Sequence, residues 1–493
     1  MSEPASAPGA ASRIGALSVS TDATIRDALE AIDRGALGIA IFVDPATGSF
    51  QGLVTDGDVR RALLAGSSLA DPVAAIVRTD PTVARVGQER DELAALFSEQ
   101  VRILPVLDEQ GRVADVAVLD RRVHLPVAEP ELGDRELAYV AECILSGWIS
   151  SAGRFVTRFE ELFAELCGTS HAVATSNGTT ALHLALLAAD IGPGDEVIVP
   201  SLTFIASANS VTYTGATPVL VDCDPATWTI DPDAVAAALT PATKAIMPVH
   251  LYGHPADMDP LVELARQHGL TVIEDAAEAH GATYKGVPVG GIGDLGTFSF
   301  YGNKIVTTGE GGMVVTNRAD LAERMRILRD HGTQPGTRYW HPVVGFNYRL
   351  TNLQAAVGVA QMERIEEILA AKRRIAGWYD RGLASVPGIT LPPRASWAEN
   401  VFWLYSILVD EAELGCSRDE VMAALAERDI DTRPFFPPVH TQPVYANGAD
   451  LPVSTDLARR GISLPSAVTL REAEAQRVVE ALAAVATGAR API

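Results

Sequence analysis

The stretch Thr297-Phe298-Ser299-Phe300-Tyr301-Gly302-Asn303-Lys304 ends an apolar run that has the pattern of a β-strand. Thr307-Thr308-Gly309-Glu310-Gly311-Gly312 follows at once, and a second short apolar run begins at Met313. A lysine between two such runs lies where backbone and small residues converge, and not on a solvated helix face. Lys304 can therefore form a Schiff base with an aldehyde cofactor, provided that an electron-sink partner stands elsewhere in the chain. The alternative is a surface lysine at a hairpin turn, and the rest of the chain decides between the two.

The size and composition of the chain indicate a soluble protein with several domains. A length of 493 residues, of which 47% are hydrophobic and 20% charged, predicts two or three domains with large cores. The chain has 39 Lys and Arg residues against 62 Asp and Glu residues, which gives a formal charge of −23. This balance argues against a general affinity for nucleic acid or for an anionic membrane, but it allows a local basic pocket for a phosphorylated ligand.

The cysteines and the N-terminus indicate a cytoplasmic location. The four cysteines are scattered without a CxxC pair, so the pattern suggests neither a metal site nor a disulfide framework, and a reducing cytoplasm fits best. Residues 1–13 are rich in Ala, Ser and Pro and lack a basic region leading into an apolar run, which predicts a disordered tail and not a signal peptide. No apolar stretch approaches the roughly 20 residues that span a bilayer.

Residues 14–124 contain an internal duplication with a period of roughly 60 residues. Each copy has the order helix, strand, turn, strand, and in the first copy a further helix follows. The predicted helices are residues 24–34, 56–65 and 89–99, and the predicted strands are 38–43, 51–54, 103–107 and 113–119. Neither half is long enough to bury a core alone, so the two halves are expected to pack on each other.

The pattern changes after an acidic, proline-containing linker at residues 125–131. Short apolar strands then alternate with helices, which predicts an α/β domain with a mainly parallel sheet covered by helices on both faces. The predicted strands are residues 171–175, 196–200, 218–222, 245–250, 271–274 and 296–300. From about residue 350, a long helical region and a strand-like run at 402–409 predict a smaller α+β domain.

Ser176-Asn177-Gly178-Thr179-Thr180 follows one of these strands and precedes a helix predicted at residues 181–189. Ser176 or Asn177 can cap that helix, and the exposed amides of Gly178 and Thr179 then form an anion site at the positive end of the helix dipole. The alternative is a strand–turn–helix junction with a purely structural role.

Two further residues follow strand ends, where α/β proteins bind their ligands. Asp275 can accept a hydrogen bond from a protonated pyridine nitrogen and so make the ring an electron sink, or it can simply cap a helix. Phe204 can stack on a planar cofactor ring, or it can belong to the core.

Together these motifs comprise a phosphate cradle, a stacking aromatic, a carboxylate for a pyridine ring and a Schiff-base lysine. Residues 130–489 resemble the DegT/StrS-like family of sugar aminotransferases, which use pyridoxal phosphate on the type I aminotransferase fold. The matching motifs are Ser146-Gly147-Trp148, Ser176-Asn177-Gly178-Thr179, Glu274-Asp275-Ala276-Ala277, Phe298-Ser299-Phe300, Gly309-Glu310-Gly311-Gly312 and Gly345-Phe346-Asn347-Tyr348-Arg349-Leu350. The resemblance implies a mainly parallel seven-stranded sheet in a large domain at 132–350 and a small domain at 351–493.

The resemblance also assigns cofactor contacts. It implies that Lys304 holds pyridoxal phosphate as an internal aldimine and that Asp275 contacts the pyridine nitrogen. Ser299 is then expected beside Gly178 and Thr179 at the phosphate. Asn347 is expected to reach the phosphate from a neighbouring subunit, which implies a homodimer.

The substrate expectations depend on finer features of the same resemblance. Glu278 stands where many family members have Gln, and with Tyr301-Gly302-Asn303-Lys304 it resembles the perosamine-synthase branch. That branch implies a GDP-linked 4-keto-6-deoxymannose as substrate and L-glutamate as amino donor. Five residues match family positions near the sugar nucleotide, although each could equally be structural: Trp148, Ser150, His341, Arg349 and His440. The alternatives are a dTDP- or UDP-linked sugar, or a catalytically silent regulator that binds pyridoxal phosphate.

The duplicated N-terminal region resembles a tandem pair of cystathionine-β-synthase-type (CBS) modules, which often sense adenine nucleotides. Gly52-Leu53-Val54-Thr55-Asp56-Gly57-Asp58 fits the nucleotide pattern, with Thr55 facing the phosphate or ribose and Asp58 accepting from ribose hydroxyls. The second copy has Val118 and Arg121 at these two positions, so one intact site is expected. The alternative is a dimerisation or docking module without a ligand.

Overall fold

The computed structural model describes residues 10–35, 37–88, 92–93, 96–97, 101, 103–118, 124–334, 336–446 and 448–486. Most of the predicted tail, most of the predicted helix at 89–99, and Arg121 lie outside these residues. The chain divides into two compact units, residues 1–123 and 124–493. Among the described residues, no helix is both long enough and apolar enough to cross a membrane.

The first unit consists of short helices and two small sheets. Its helices are α1 Ala10–Leu17, α2 Ile25–Gly35 and α3 Asp56–Leu64. Its strands are β1 Ser18–Ser20, β2 Ile39–Val43, β3 Phe50–Thr55, β4 Ala84–Arg85, β5 Ile103–Leu107 and β6 Val113–Val118. Helix α1 begins inside the stretch predicted to be a disordered tail. Alanine favours a helix there, and the helix ends at the fully buried Leu17, an anchor that composition alone does not reveal.

The duplication is visible in the topology of the two sheets. In each sheet the first strand pairs parallel to the second, and the second pairs antiparallel to the third. Both antiparallel pairs also have a register irregularity near the end of the second strand. Ile39 and Ile41 of β2 share a buried cluster with Val116 of β6, so the two halves pack on each other as expected.

The second unit contains the long helices and the large sheet. Its strands are β7 His171–Thr175, β8 Glu196–Pro200, β9 Thr217–Val221, β10 Thr243–Ile246, β11 Thr271–Asp275, β12 Thr283–Tyr284, β13 Val287–Pro288, β14 Leu295–Ser299, β15 Gly312–Thr316, β16 Ile389–Thr390, β17 Ala398–Glu399, β18 Tyr405–Val409, β19 Arg433–Pro434 and β20 Gly461–Leu464. Its helices are α4 Asp134–Ser146, α5 Arg154–Cys167, α6 Gly178–Ala188, α7 Ala206–Tyr213, α8 Pro232–Ala237, α9 Met258–His268, α10 Ala319–Arg329, α11 Asn352–Met362, α12 Ile365–Leu383, α13 Glu411–Leu414, α14 Arg418–Ala426, α15 Pro452–Arg460 and α16 Glu472–Ala486.

The large sheet has seven strands in the order β7-β15-β14-β11-β10-β8-β9. Only β15 runs against the others, so the predicted mainly parallel sheet is confirmed. Successive residues of a strand face opposite sides, and Ala172 and Val173 of β7 accordingly enter two different cores. Phe159 of α5 packs in the first core and Leu184 of α6 in the second, so helices cover both faces.

The smaller sheet is antiparallel, in the order β16-β18-β20-β19, and its core is built with α12, α14 and α16. The strand predicted at 402–409 begins only at Tyr405. Phe402 interrupts it, because its φ of 51° is in the left-handed region, which is rare for a bulky residue. Trp403 accordingly belongs to a core cluster of the large sheet, and Tyr405 belongs to that of the small sheet.

Residues 125–131, predicted to be a linker, are packed on the second unit. Leu125 and Val127 are almost fully buried. The Leu125 amide donates to the Asp429 carbonyl at 2.8 Å, and the Ser466 amide donates to the Val127 carbonyl at 2.8 Å. The acidic and proline-rich composition suggested a spacer, but the two buried apolar side chains attach this segment to the domain.

Candidate active site

The carboxyl ends of β7, β11 and β14 meet at one edge of the large sheet. They border a cavity of about 670 Å³, whose lining includes Gly178, Phe204, Asp275 and Lys304. Parallel strands that end side by side place such residues together, which is why ligands bind at this edge of α/β sheets. The four motifs of the cofactor prediction therefore converge in one cavity.

An open helix N-terminus forms part of the cavity wall. Helix α6 begins at Gly178 and not at Ala181, because the Asn177 side chain caps it and accepts from the Thr180 amide at 2.9 Å. The amides of Gly178 and Thr179 stand at the first two helical positions and have no acceptor within the helix. They are available to an anion in the cavity, which also fits the direction of the helix dipole.

Ser299 is in close contact with this helix N-terminus. A Cβ added to Gly178 would lie 2.7 Å from the Ser299 Cβ, so only glycine allows the approach. The Ser299 carbonyl accepts from Nε2 of His280 at 2.9 Å, which fixes the neutral tautomer of that ring. Burial lowers the pKa of His280 to about 3, so the histidine stays neutral and positions the backbone of Ser299.

Asp275 is buried at the end of β11 with its carboxylate in the cavity. The Ser207 hydroxyl donates to its Oδ2 at 2.7 Å, and the Ala277 amide donates to its Oδ1 at 3.2 Å. Burial raises the pKa of Asp275, and the two donors only partly offset this effect. A cationic nitrogen placed against Asp275 would favour its ionised form.

Lys304 is also largely buried, with 12% of its side chain exposed. Its Nζ lies 3.4 Å from Oε1 of Glu278 and 3.7 Å from the ring centroid of Trp403. Burial lowers the pKa of Lys304, while the nearby Glu278 and Asp275 carboxylates oppose that shift. The surface-lysine alternative is therefore excluded.

Glu278 is held by the backbone of a residue with unusual geometry. The Tyr252 amide donates to Oε2 of Glu278 at 2.8 Å, and Tyr252 has a φ of 54°. A bulky residue in this conformation stores strain, a feature that concentrates at functional sites.

Phe204 is not a core residue, since 54% of it is exposed and it contacts Phe436 at the cavity wall with ring centroids 5.6 Å apart.

None of the five predicted substrate residues lines this cavity. The backbone carbonyls of Trp148 and Ser150 accept hydrogen bonds from Asn352, the first residue of α11. The Asn352 side-chain amide donates to Trp148, and its backbone amide donates to Ser150. Asn347 is exposed, and Arg349 bonds to it while lining a second cavity of about 600 Å³.

The two predicted histidines also have structural partners. His341 is exposed, and its Nδ1 lies 2.9 Å from the His331 carbonyl. His440 is buried and its Nδ1 lies 2.6 Å from the Ser201 hydroxyl. His440 therefore packs in the protein interior and does not line the cavity that contains Lys304.

The residues of the site that the sequence did not reveal include Ser207, Tyr252 and Trp403. Ser207 bonds to Asp275 across 68 residues of chain, and the Trp403 indole bonds to the Asn303 carbonyl across 100 residues. No local motif surrounds either residue. The one available signal was Trp403 itself, an indole in an apolar run, which is more often a core residue.

In the first unit, Thr55 and Asp58 form the capping box of α3. Asp58 accepts from the Thr55 hydroxyl at 2.7 Å and from Nη2 of Arg78 at 2.7 Å. Desolvation raises the pKa of Asp58, but the hydrogen bonds from Arg78, Thr55 and Arg61 outweigh it and lower this pKa overall. The carboxylate predicted to meet a ribose therefore already has donors on the protein.

Two family models match the chain. The model of the DegT/DnrJ/EryC1/StrS aminotransferase family matches residues 130–483, which include the whole cavity. The chain belongs to this family. A CBS domain model matches residues 12–65, which is the first copy of the duplication only. The family consists of aminotransferases that depend on pyridoxal phosphate, so the predicted class of enzyme and the predicted cofactor are confirmed.

Individual relatives agree with this assignment. The chain is 55% identical over 361 residues to a GDP-perosamine synthase of Caulobacter vibrioides, covering 73% of this chain and 97% of the relative. It is 39% identical to a putative pyridoxal phosphate-dependent aminotransferase, EpsN, of Bacillus subtilis, covering 74% and 96%. Among solved structures, DesI in the presence of its TDP-sugar product is 37% identical with a TM-score of 0.70, covering 74% and 94%.

The residues in the cavity fit pyridoxal phosphate. The site offers amide donors at a helix N-terminus for the phosphate, a buried carboxylate for the ring nitrogen and a primary amine for the aldehyde. The volume of about 670 Å³ is in the range of sites that enclose a cofactor-sized ligand.

Gly178→Ala tests the phosphate end of this site. We expect pyridoxal phosphate to bind at least about tenfold more weakly, because the added Cβ would displace Ser299 from the helix N-terminus. Absorbance titration of cofactor-free protein measures the dissociation constant. Gly302→Ala is the matched control, since a Cβ there meets nothing within 4 Å although Gly302 lies two residues from Lys304. Equal affinities of the two variants would contradict the assignment.

Proposed function

We propose that this chain transfers the amino group of L-glutamate to a nucleotide-linked 4-keto-6-deoxy sugar. The specific reaction proposed is the conversion of GDP-4-keto-6-deoxy-D-mannose to GDP-perosamine. The observation that carries the proposal is the single cavity that unites the Lys304 amine, the Asp275 and Glu278 carboxylates and the helix N-terminus at Gly178. The choice of sugar is supported by the 55% identity to a GDP-perosamine synthase over most of both chains.

Each cavity residue that was predicted to contact the cofactor receives a role. Lys304 anchors it covalently, and Asp275 accepts from its ring nitrogen. Gly178, Thr179 and Ser299 bind its phosphate, and Phe204 stacks on its ring. Glu278, which lies between the Tyr252 amide and Lys304, is placed to orient the lysine against the cofactor.

The chemistry is divided between the cofactor and the protein. When bound, pyridoxal phosphate supplies an electron sink for negative charge at the amino-bearing carbon of the substrate. Released Lys304 moves the proton at that carbon, first as base and then as acid. Because burial lowers the pKa of Lys304, more of its amine is neutral near pH 7 and able to accept a proton. Asp275, oriented by the Ser207 hydroxyl, keeps the ring nitrogen protonated.

A homodimer is part of the proposal. Asn347, the predicted phosphate contact from a neighbouring subunit, is exposed and does not line the cavity of its own chain. Trp148, Ser150, His341 and Arg349 also lie outside it, so a substrate role for them requires a second subunit. Exposed apolar side chains on and after α4 favour such a contact: Leu137, Ile144, Leu145, Trp148 and Ile149. A mass near the 52.1 kDa of one chain in light scattering would contradict this arrangement.

Two other functions compete with the main proposal. The solved DesI with its TDP-sugar product favours a dTDP- or UDP-linked sugar, although its 37% identity is lower than that of the GDP-perosamine synthase. A catalytically silent regulator requires that the site has lost its chemistry, whereas Lys304 and Asp275 are both present and buried together. The silent regulator is therefore the weaker candidate.

The Lys304→Ala variant distinguishes an active aminotransferase from a catalytically silent regulator. We expect transamination from L-glutamate to fall by at least about a thousandfold, because the variant lacks both the covalent anchor and the proton-transfer group. Formation of 2-oxoglutarate measures the rate. Lys244→Ala, at an exposed position of β10, is the matched control and should keep the wild-type rate. Substantial activity in Lys304→Ala would contradict the mechanism.

The identity of the sugar is tested in a half-reaction. Protein converted to its amine-loaded form is mixed separately with GDP-, dTDP- and UDP-linked 4-keto-6-deoxy sugars, and the return of the aldehyde-form absorbance is followed. We expect the GDP-linked mannose derivative to react fastest. A faster dTDP- or UDP-linked sugar would replace the proposed substrate, and no reaction with any of them would favour the silent regulator.

We also propose that the first unit binds an adenine nucleotide at Thr55 and Asp58. The match of a CBS domain model to residues 12–65 supports a site in this copy. ATP, ADP and AMP are titrated against the full chain by calorimetry, and Asp58→Asn should weaken binding at least about tenfold through loss of a charged hydrogen bond. Asp56→Asn is the control, because Asp56 is half exposed and pairs with Arg60. Absence of binding to the wild type would favour a docking module without a ligand.

A further inference from the structure

Trp403 lies against the amine of Lys304 in a geometry that packing alone does not require. The Lys304 Nζ is 3.7 Å from the centroid of its ring, well inside the distance of about 6 Å at which an aromatic face attracts a cation. Glu278 lies on the same Nζ at 3.4 Å. The ammonium group is thus held between a carboxylate and an electron-rich ring, and only 12% of the Lys304 side chain is exposed.

The protein holds Trp403 through both its ring and its backbone. Its Nε1 donates to the Asn303 carbonyl at 2.7 Å, in the residue directly before Lys304. The Trp403 carbonyl accepts from Nζ of the buried Lys372 at 2.8 Å. Tyr252 stacks on the ring at 6.4 Å with an interplanar angle of 21°. The indole is therefore bonded to the residue directly before Lys304.

The backbone is also distorted to bring Trp403 to this place. Phe402 takes a φ of 51° just before it, and Gly253 approaches so closely that a Cβ there would lie 2.9 Å from the Trp403 amide. Strain of this kind persists where the surrounding structure and a function require it.

We propose that the face of Trp403 is the resting place of the Lys304 amine whenever that amine is not bonded to the cofactor. The proposal rests on the proposed function, in which Lys304 is released and recaptured in each half-reaction. Trp403 is thus a positioning residue: it keeps the released amine beside Glu278 and, once that amine has accepted the substrate proton, stabilises its protonated form until the proton is passed on.

The expected effect is a change in the acidity of Lys304. Other titratable groups face this amine: Asp275 and Glu278 in the main cavity, His280 behind Ser299, and Lys372, Glu129 and Glu131 around a small cavity behind Lys304. Glu310 and Arg433 also line the main cavity. Substitutions at Trp403 leave all these groups in place.

The test measures Lys304 in the full-length chain freed of cofactor. Acetylation of the Lys304 peptide by acetic anhydride is followed by mass spectrometry from pH 6 to pH 11, which gives its apparent pKa. We expect Trp403→Leu to lower this pKa by about 0.5 to 1.5 units, because leucine keeps the site apolar but has no electron-rich face. Trp403→Phe should fall between leucine and the wild type.

The controls separate the ring from general packing. Trp397→Leu removes another tryptophan, which packs on Tyr284 and His254 outside the cavity, and should leave the pKa of Lys304 unchanged. An unchanged or higher value in Trp403→Leu would overturn the proposal. Equal values for the leucine and phenylalanine variants would also overturn it, since the lost indole hydrogen bond would then explain the effect.

A second readout uses the enzyme with its cofactor. In the profile of kcat against pH, the apparent pKa assigned to Lys304 should again be lowest in Trp403→Leu, intermediate in Trp403→Phe and highest in the wild type. Trp397→Leu should keep the wild-type profile. Labelling does not depend on turnover. If labelling shifts as expected but no sugar is aminated, the proposed function fails while the role of Trp403 stands. If the labelling pKa of Lys304 does not shift in Trp403→Leu, the role of Trp403 is rejected whatever the substrate.

Discussion

The Lys304 amine and the Glu278 carboxylate lie 3.4 Å apart where little water reaches either group. A buried pair of this kind gains little by itself, because removing two charges from water costs nearly as much as their attraction returns. Loss of one partner is far worse, at about 3–5 kcal/mol, since the other charge remains buried alone. The surrounding structure therefore has to supply further partners: the Tyr252 amide donates to Glu278, and the electron-rich face of Trp403 attracts the Lys304 ammonium.

Glu274, one residue before Asp275, is another buried acid that needs hydrogen-bond donors from the protein. Glu274 is fully buried and accepts from the amides of Gly290, Ile292 and Gly293 and from His250 at 2.7–3.0 Å. It fixes the loop that returns the chain into β14, the strand that ends at Ser299. Neighbouring strand residues face opposite sides, so one acid builds the scaffold while the next one faces the cavity.

Local signals explain how much of this could be predicted. The alternation of short strands with helices, the cap at Asn177 and the lysine before a glycine-rich turn arise from residues close together in sequence, whereas the seven-stranded sheet and Ser299 beside Gly178 were expected only from the family resemblance. The supports of the site arise from distant segments: Ser207 on Asp275, Trp403 on Lys304 and Lys372 on Trp403. Each of these residues meets its partner only in the folded chain, so no pattern among neighbouring residues in the sequence identifies its role. The break at Phe402 was missed for the same reason, because it occurs where the distant Gly253 approaches this backbone so closely that a Cβ there would lie 2.9 Å from the Phe402 amide.

The order of strands in the large sheet has a consequence for synthesis on the ribosome. Strand β7 is the first of the seven to be made, yet it pairs only with β15, the last. It remains an unpaired edge until residue 316 has emerged, and the cavity also needs Trp403, Phe436 and Ser463. The first unit, whose two halves close on each other, can fold long before this point. The nascent enzyme is thus unable to take up its cofactor until nearly all of its chain has left the ribosome.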